Sequence, residues 1–296
     1  MRATTADRRL FLDVRGAPDA PPLLYLHGGP GMGCHEFMLW QGDRLAADLR
    51  VIGLDRRGPL ETDPLAPDEP LDESDLVADC ESLRASLGLE RWAVLGHSFG
   101  GRFALRYAHQ HPEAISAVIF ENPGWDMAEA ERLRLPAAAG LFEELGDAVS
   151  AARCRQLATE DLTDRWEARS VVAALGDRYV DLYVHKPEAR VELTRTLADN
   201  PVPTDQRDRA DEYGHRLPDA PDVMASMVPL LAGLSVPALL IKGRYDLTTG
   251  PEQIDGFRRH VPTGRIEVFD SSAHFAQFEE PDRYATSVRG FVLAHR

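Results

Sequence analysis

Gly96-His97-Ser98-Phe99-Gly100 is the stretch that decides the fold of this chain. It lies between an apolar run, residues 92–95, and a segment with helical spacing that ends before Pro112. A G-x-S-x-G sequence between a strand and a helix is typical of a sharp turn, because its glycines let the two elements approach closely and present the serine hydroxyl. We therefore expect Ser98 to be a nucleophile; the alternative is an ordinary serine in a glycine-rich turn.

A nucleophilic serine needs two partners. Its hydroxyl is weak at neutral pH and requires a base that is itself oriented by a carboxylate. After a turn of this type the acid and then the histidine follow in chain order. Asp246 follows the apolar run 236–241, and His274 follows the run 265–269. The sequence thus predicts Ser98, Asp246 and His274 as catalytic residues, with Glu121, just past an earlier strand, as the alternative acid.

The glycine-rich segment His27-Gly28-Gly29-Pro30-Gly31 comes directly after the apolar run 23–26. A tetrahedral intermediate needs backbone N–H donors aimed at its oxyanion, and glycine lets the chain come close enough to supply them. We expect the N–H groups of Gly29 and Phe99 to form this oxyanion hole. Gly28 is a candidate for substrate contact, and His27 for orienting the turn.

The rest of the chain indicates a sheet with an insertion. Short apolar runs alternate with helical stretches up to residue 123, which favours an α/β fold with a mostly parallel central sheet flanked by helices. The predicted strands are 10–14, 23–26, 50–54, 92–95, 117–120, 236–241 and 265–269, and the clearest helices are 73–87, 99–109 and 281–294. Residues 125–228 show helical periodicity with almost no strand-like run.

We therefore expect a core in two parts, residues 1–123 and 229–296, with residues 124–228 as an inserted helical cap; we call 124–228 the helical insertion. A lid over the serine excludes water and shapes a pocket. Core packing is the more common role of an aromatic residue on a helix. The aromatic residues that are candidates for lining the pocket are Trp125, Phe142, Trp166, Tyr179 and Tyr183.

Composition excludes several classes of protein. The 48 Asp and Glu residues against 33 Lys and Arg give a net charge of −15, so neither nucleic acid nor a membrane is expected as a partner. Residues 1–16 lack the apolar stretch of a signal peptide, which predicts a cytoplasmic protein. The three cysteines are widely spaced and fit neither a disulfide framework nor a zinc site. Lys186 and Lys242 are the only lysines.

Together and in this order, the three motifs resemble the α/β-hydrolase superfamily. The HGGPG segment followed by Gly243-Arg244-Tyr245-Asp246 is similar to its proline iminopeptidase branch. The resemblance covers residues 10–123 and 235–296. It implies an α/β-hydrolase fold and a serine hydrolase that removes an N-terminal residue, often proline, from a small molecule or short peptide, with no cofactor and no metal.

Two segments extend or limit the resemblance. Thr163-Asp164-Arg165-Trp166-Glu167 is similar to the segment whose glutamate holds the substrate amine in that branch, which implies Trp166 and Glu167 as substrate-binding residues. The branch has D-Q-R-G-x-G-x-S where this chain has Asp55-Arg56-Arg57-Gly58-Pro59-Leu60-Glu61-Thr62, and G-H-S-F-G is a form common among esterases.

The activity therefore stays open between several classes. An esterase, lactonase, thioesterase or C–C bond hydrolase acting as a biosynthetic tailoring enzyme is the alternative, since the same triad serves all of these reactions. A non-catalytic binding protein on the same fold is a third possibility. The intact set of Ser98, Asp246, His274 and HGGPG argues against it.

Overall fold

The strands form one eight-stranded sheet in a computed structural model that describes residues 2–4, 9–29, 32–58, 60–66, 69, 73–160, 165–216 and 225–296. Of residues 2–4, 165–166 and 211–216 only the backbone is described. The strands are β1 (Arg2–Thr4), β2 (Arg9–Arg15), β3 (Pro22–Leu26), β4 (Arg50–Leu54), β5 (Trp92–His97), β6 (Ile115–Glu121), β7 (Ala238–Gly243) and β8 (Arg265–Phe269). Their order is β1-β2-β4-β3-β5-β6-β7-β8. From β4 to β8 neighbouring strands are parallel, whereas β2 is antiparallel to both β1 and β4.

Helices pack against the sheet, and most of the described chain between β6 and β7 is also helical. They are α1 (His35–Phe37), α2 (Asp43–Ala46), α3 (Glu73–Ser86), α4 (Gly100–Gln110), α5 (Met127–Glu144), α6 (Ala148–Leu157), α7 (Arg165–Ala173), α8 (Pro187–Ala198), α9 (Thr204–Arg216), α10 (Pro251–His260), α11 (Ala276–Glu279) and α12 (Pro281–Ala294). A π-helical turn, Met38–Gly42, joins α1 to α2. Helices α5 to α9 all belong to the helical insertion.

The hydrophobic core lies on both faces of the sheet. On one face, strand residues pack against α3, α4 and α10 through side chains such as Leu83, Phe103 and Phe257. On the other face they pack against α1 and α12, where Phe37 and Tyr284 are buried. Strands β5 and β6 are buried along their whole length, as expected of strands covered on both faces. The predicted fold class, a mostly parallel sheet flanked by helices, is confirmed.

The helices of the described part of the chain include none with the length and apolar character needed to span a membrane. Strand β1, the helical turns from residue 35 to 46 and α10 were not predicted from the sequence. The predicted strands all overlap observed ones, although the run 236–241 begins two residues before β7.

Gly100 supplies a test of how closely helix and strand approach in this fold. A β-carbon at Gly100 would lie 2.1 Å from the carbonyl oxygen of Leu26, a main-chain atom at the end of β3, whereas one at Gly140 in α5 would meet nothing within 4 Å. We expect Gly100→Ala to lower the free energy of unfolding by about 1–3 kcal/mol. Gly140→Ala should raise it by about 0.5–1 kcal/mol. Urea denaturation measures both; a Gly100→Ala protein as stable as the parent would contradict the close approach.

Candidate active site

Ser98 occupies a strained turn between β5 and α4. Its φ of 53° lies in the left-handed region, which a residue with a side chain rarely adopts. Three backbone hydrogen bonds of 2.9 Å hold it there: its N–H donates to Glu121, and its carbonyl accepts from Gly101 and Gly124. The side chain is half-buried. A β-carbon at Gly28 would lie 3.0 Å from the Ser98 Cβ, so a side chain at this position would crowd the serine.

His274 and Asp246 form a buried hydrogen-bonded pair. The His274 Nδ1 lies 2.7 Å from the Asp246 Oδ1. Because a carboxylate can only accept, Nδ1 carries the proton, and the Nε2 of a neutral His274 is left as an acceptor. The N–H groups of Thr248 and Thr249 also donate to the carboxylate, at 3.1 and 2.8 Å. Burial opposes its charge, but the Lys242 ammonium and the hydrogen bonds outweigh burial and hold the pKa of Asp246 well below its usual range.

Glu121, the alternative acid, has a different environment at the end of β6. Its fully buried carboxyl accepts hydrogen bonds from the Gln277 N–H at 3.0 Å and the Tyr284 hydroxyl at 2.9 Å. Burial, with a contribution from the charge of Asp246, raises the pKa of Glu121 to about 8. Glu121 is therefore a neutral acid at pH 7, and the carboxylate that contacts His274 is Asp246.

Asn122 connects the loops that carry the pair, a role the sequence analysis did not predict. The side chain is fully buried, and the residue has a φ of 42°. Its Nδ2 donates to the carbonyl oxygens of Ala273 and His274 at 3.1 and 2.8 Å, and its Oδ1 accepts from the Gly243 N–H at 2.8 Å. One amide therefore fixes the spacing between the loops of Asp246 and His274. The only signal in the sequence is a polar residue directly after a buried strand.

The predicted oxyanion hole consists of two N–H groups that are available to donate hydrogen bonds to a ligand. Gly29 is exposed and has a φ of 108°, and Phe99 lies at the N-terminus of α4. Neither N–H donates to an acceptor within the described ranges. Pro30 and Gly31 of the same motif lie outside those ranges.

His27 and Arg56 hold this turn in place. The Arg56 guanidinium lies 3.1 Å from the His27 Nδ1 and donates to the Gly28 carbonyl at 3.0 Å. Burial, and then the charge of Arg56, lower the pKa of His27 well below its usual range, so the imidazole is neutral. This geometry supports an orienting role for His27. Arg56 was noted only as a departure from the family pattern, and its contribution to the turn was not expected.

The helical insertion reaches the site through Tyr183. The His274 N–H donates to the Tyr183 carbonyl at 3.0 Å, and the two rings meet edge to face at 5.4 Å. The Tyr183 hydroxyl accepts from Arg134 and shares a hydrogen bond with the Tyr179 hydroxyl, each at 2.8 Å. Of the five candidate aromatic residues, Tyr183 thus contacts His274, and Tyr179 contacts Tyr183.

The other candidate aromatic residues are placed differently. Trp125 is fully buried against Phe120 and Phe257 in the core of the sheet, and Phe142 is buried among the helices of the insertion. Both have the packing role that is usual for such residues. The side chain of Trp166 lies outside the described residues.

Glu279 on α11 links the insertion to the His274 loop. Its Oε1 accepts from the His185 and Lys186 N–H groups at 2.7 and 3.2 Å. Its Oε2 accepts from the Ala273 N–H at 2.7 Å. One carboxylate therefore holds both segments. This contact was missed in the sequence because the residues that it joins are far apart in the chain.

Glu167 lies on α7 and forms an ion pair with Arg153 of α6. The Arg153 Nε lies 2.7 Å from the Glu167 Oε1, and the glutamate side chain is 42% exposed. Residues 161–164, which precede α7, lie outside the described residues. Binding of an amine by Glu167 stays a prediction.

Thiol and metal chemistry find no support in the described ranges. Cys34, Cys80 and Cys154 are buried, and burial raises the pKa of each thiol, which leaves them protonated and unreactive. No group of three or more His, Cys, Asp or Glu side chains within those ranges could hold a metal ion.

The comparison with protein families identifies the class. The sequence model of the alpha/beta hydrolase fold family matches residues 21–281. The chain therefore belongs to the α/β-hydrolase fold family.

Two curated relatives are proline iminopeptidases. That of Heyndrickxia coagulans is 26% identical over 288 residues, which cover 92% of this chain and 90% of that protein. That of Xylella fastidiosa (strain 9a5c) is 39% identical over 116 residues, 39% of this chain and 36% of that protein. The second match thus spans only about a third of the relative's length. The resemblance to a proline iminopeptidase-like protein is confirmed.

Solved structures with this architecture include enzymes of different kinds. A proline iminopeptidase of Mycobacterium smegmatis superposes with a TM-score of 0.72 at 23% identity, covering 100% of this chain and 98% of that one. The enol-lactonase from Burkholderia xenovorans LB400 gives 0.70 at 20% identity, with coverages of 99% and 100%. At these identities the likeness shows the fold alone.

The raised pKa of Glu121 predicts a pH-dependent stability. A glutamate in water titrates near pH ~4.3, so the unfolded chain gives up this proton at a lower pH than the folded protein does. The stabilisation is complete below about pH 4 and is lost as the pH rises to about 8, where folded Glu121 ionises. Glu121→Gln imitates the protonated acid. We expect its melting temperature to be close to the parent's near pH 5 and to exceed it increasingly toward pH 9.

Differential scanning calorimetry of both proteins across this range measures the difference. Glu90→Gln is the matched control, because Glu90 is exposed and its replacement should shift the melting temperature equally at every pH. Parallel curves for Glu121→Gln and the parent would show that the carboxyl is already ionised at neutral pH.

Proposed function

We propose that this protein is a serine hydrolase that cleaves a small amide or ester through an acyl-enzyme, with Ser98, His274 and Asp246 as its catalytic triad. The observation that carries the proposal is the 2.7 Å hydrogen bond between the buried His274 Nδ1 and the Asp246 Oδ1. It lies at the same edge of the sheet as Ser98, whose strained φ of 53° suits a nucleophile.

In the proposed reaction, the Ser98 hydroxyl oxygen attacks the substrate carbonyl carbon while its proton passes to the His274 Nε2. The carbonyl oxygen becomes an oxyanion and accepts hydrogen bonds from the N–H groups of Gly29 and Phe99. His274 then gives the proton to the leaving amine or alcohol as its bond to carbon breaks. A water molecule attacks the acyl group by the same steps, and Ser98 is restored.

The substrate class that we favour is a small molecule or short peptide with a free amino-terminal residue, as for a proline iminopeptidase. The match to the H. coagulans enzyme, which covers 92% of this chain and 90% of that protein, supports this choice. A substrate ammonium taken out of water needs a carboxylate partner. We propose Glu167 for this role, with Trp166 and Gly28 as further contacts, and the helical insertion as the cap. The net charge of −15 supports a protein that binds neither nucleic acid nor membrane, and we propose a cytoplasmic location for it.

An ester or lactone substrate is the second candidate, and a specific contact favours it. Glu167 pairs with Arg153, so a substrate ammonium would have to displace a guanidinium that is already in place. A substrate without an ammonium group avoids this competition. The same triad would serve an esterase, lactonase, thioesterase or C–C hydrolase.

The triad is tested with three variants. We expect Ser98→Ala to abolish both turnover and labelling by a fluorophosphonate probe, because the nucleophile is gone. Asp246→Asn should reduce kcat by about 10⁴-fold, since the wrong tautomer of His274 would be favoured. Glu121→Gln is the matched control and should retain turnover. Melting temperatures confirm that each variant is folded.

Labelling that persists in Ser98→Ala would overturn the assignment of Ser98 as the nucleophile. Loss of activity in Glu121→Gln together with a fully active Asp246→Asn would move the acid to Glu121.

The substrate class is tested by comparing proline p-nitroanilide with its N-acetyl derivative and with p-nitrophenyl acetate. If Glu167 binds the ammonium, the free amine should be preferred over the N-acetyl form, by tenfold or more if the pair contributes about 1.4 kcal/mol. Glu167→Gln should remove the preference. Arg153→Gln should keep it, because the guanidinium that competes with the substrate ammonium for Glu167 is removed.

A purely structural ion pair predicts a different result. Both variants would then lower the melting temperature by similar amounts and leave the preference unchanged. Faster turnover of p-nitrophenyl acetate or of the blocked amide by the parent would support the second candidate.

A further inference from the structure

Lys242 at the end of β7 is a buried ammonium beside the carboxylate of Asp246. Its side chain is 9% exposed, and its Nζ lies 3.2 Å from the Asp246 Oδ2. The Nζ also donates to the carbonyl oxygens of Gly243 and Asp246 at 2.6 and 3.0 Å. The ammonium thus makes two hydrogen bonds and one ion pair, all within the turn that presents Asp246. Neither the motifs nor the proposed reaction assigns this lysine a role.

The ammonium and His274 contact opposite oxygens of one carboxylate. Lys242 is paired with Oδ2, and the His274 Nδ1 hydrogen-bonds to Oδ1. In a triad without the lysine, one negative charge faces the imidazolium that forms when the base takes the serine proton. In this protein the negative charge of Asp246 is already balanced by the Lys242 ammonium. A protonated His274 therefore gains less from Asp246 and is also repelled by a cation two contacts away.

Other groups packed around the pair do not cancel this effect. They are His97 of β5, Glu121 of β6, Tyr183 and Arg134 of the insertion, and Glu279 of α11. Burial lowers the pKa of His97 to about 3, and Glu121 titrates near 8, so both are neutral between those values. Arg134 donates to the Tyr183 hydroxyl, and Glu279 accepts from the Ala273 N–H. One residue therefore lies between each of these charged groups and the His274 ring.

We propose that Lys242 is a positioning residue of the triad: it fixes the Asp246 turn and, by balancing the carboxylate charge, keeps His274 unprotonated and the site active at a lower pH than Asp246 alone would allow. This inference rests on the proposed function. It assigns to the charge of Lys242 an effect on the pH range of the reaction. The geometry of the triad alone does not set that range.

The test separates the effect of the positive charge of Lys242 from the effect of its hydrogen bonds. Lys242→Gln keeps N–H donors but removes the charge, Lys242→Met removes both, and Lys242→Arg keeps the charge. The other lysine of the chain, Lys186, supplies the matched control Lys186→Gln. For each protein, kcat/KM is measured from pH 4.5 to 9 with whichever of the three chromogenic substrates is turned over, and the melting temperature is measured beside it.

We expect the acid limb of the profile to move to higher pH by roughly one to two units in Lys242→Gln and Lys242→Met, as a cation within several ångströms requires. Lys242→Arg and Lys186→Gln should keep the parent profile. A purely structural lysine would change the melting temperature and the plateau without moving the limb. An unmoved limb in a folded Lys242→Gln or Lys242→Met protein, or an equal shift in Lys186→Gln, overturns the proposal.

A readout without substrate separates this proposal from the proposed function. Histidine labelled with ¹³C at Cε1 gives an NMR signal whose pH titration reports protonation, and the signal missing in His274→Gln identifies His274. The titration should move upward in Lys242→Gln whether or not any substrate is cleaved. If no substrate is turned over by the parent but the His274 titration shifts in Lys242→Gln, only the proposed function is contradicted. If substrate is turned over but the His274 titration does not shift, only the role of Lys242 is contradicted.

Discussion

The amide of Asn122 is the contact on which the geometry of the site depends. It joins the carbonyl oxygens of Ala273 and His274 to the N–H of Gly243, so the loops after β7 and β8 have a fixed spacing. A β-carbon at Gly243 would lie 1.8 Å from the Ala273 carbonyl oxygen, so the two loops are in backbone contact as well. Rigid loops of this kind are what a hydrogen bond between Asp246 and His274 requires, because small displacements at such a bond are costly.

The two buried carboxyl groups near the site show how environment decides charge. Asp246 receives two N–H groups, an imidazole and an ammonium, and it stays ionised despite complete burial. Glu121 receives backbone N–H groups and a hydroxyl, all of them neutral donors, and its proton is retained up to about pH 8. The difference is the number and charge of the donors, since burial opposes ionisation in both.

The sequence predicted the parts of the site that have local signatures. The turn around Ser98 and the loops of Asp246 and His274 each follow an apolar strand, and parallel strands bring such loops to one edge. Asn122, Lys242 and Glu279 escaped prediction because their partners are defined by tertiary contacts; Asn122, for example, reaches a loop about 150 residues away. Strand β1 escaped because three residues are too few for periodicity to indicate a strand.

The hydrogen bond from the His274 N–H to the Tyr183 carbonyl has a consequence for the size of the substrate under the proposed function. Together with the Glu279 contacts, it joins the helical insertion to the loop that holds His274. A displacement of the insertion at this point would therefore also displace His274. Under the proposed function, a molecule too bulky to fit beneath the insertion would meet a misaligned base, whereas a compact molecule would meet an ordered one. The proposed enzyme would thus exclude bulky molecules by misaligning His274 rather than by narrowing an entrance.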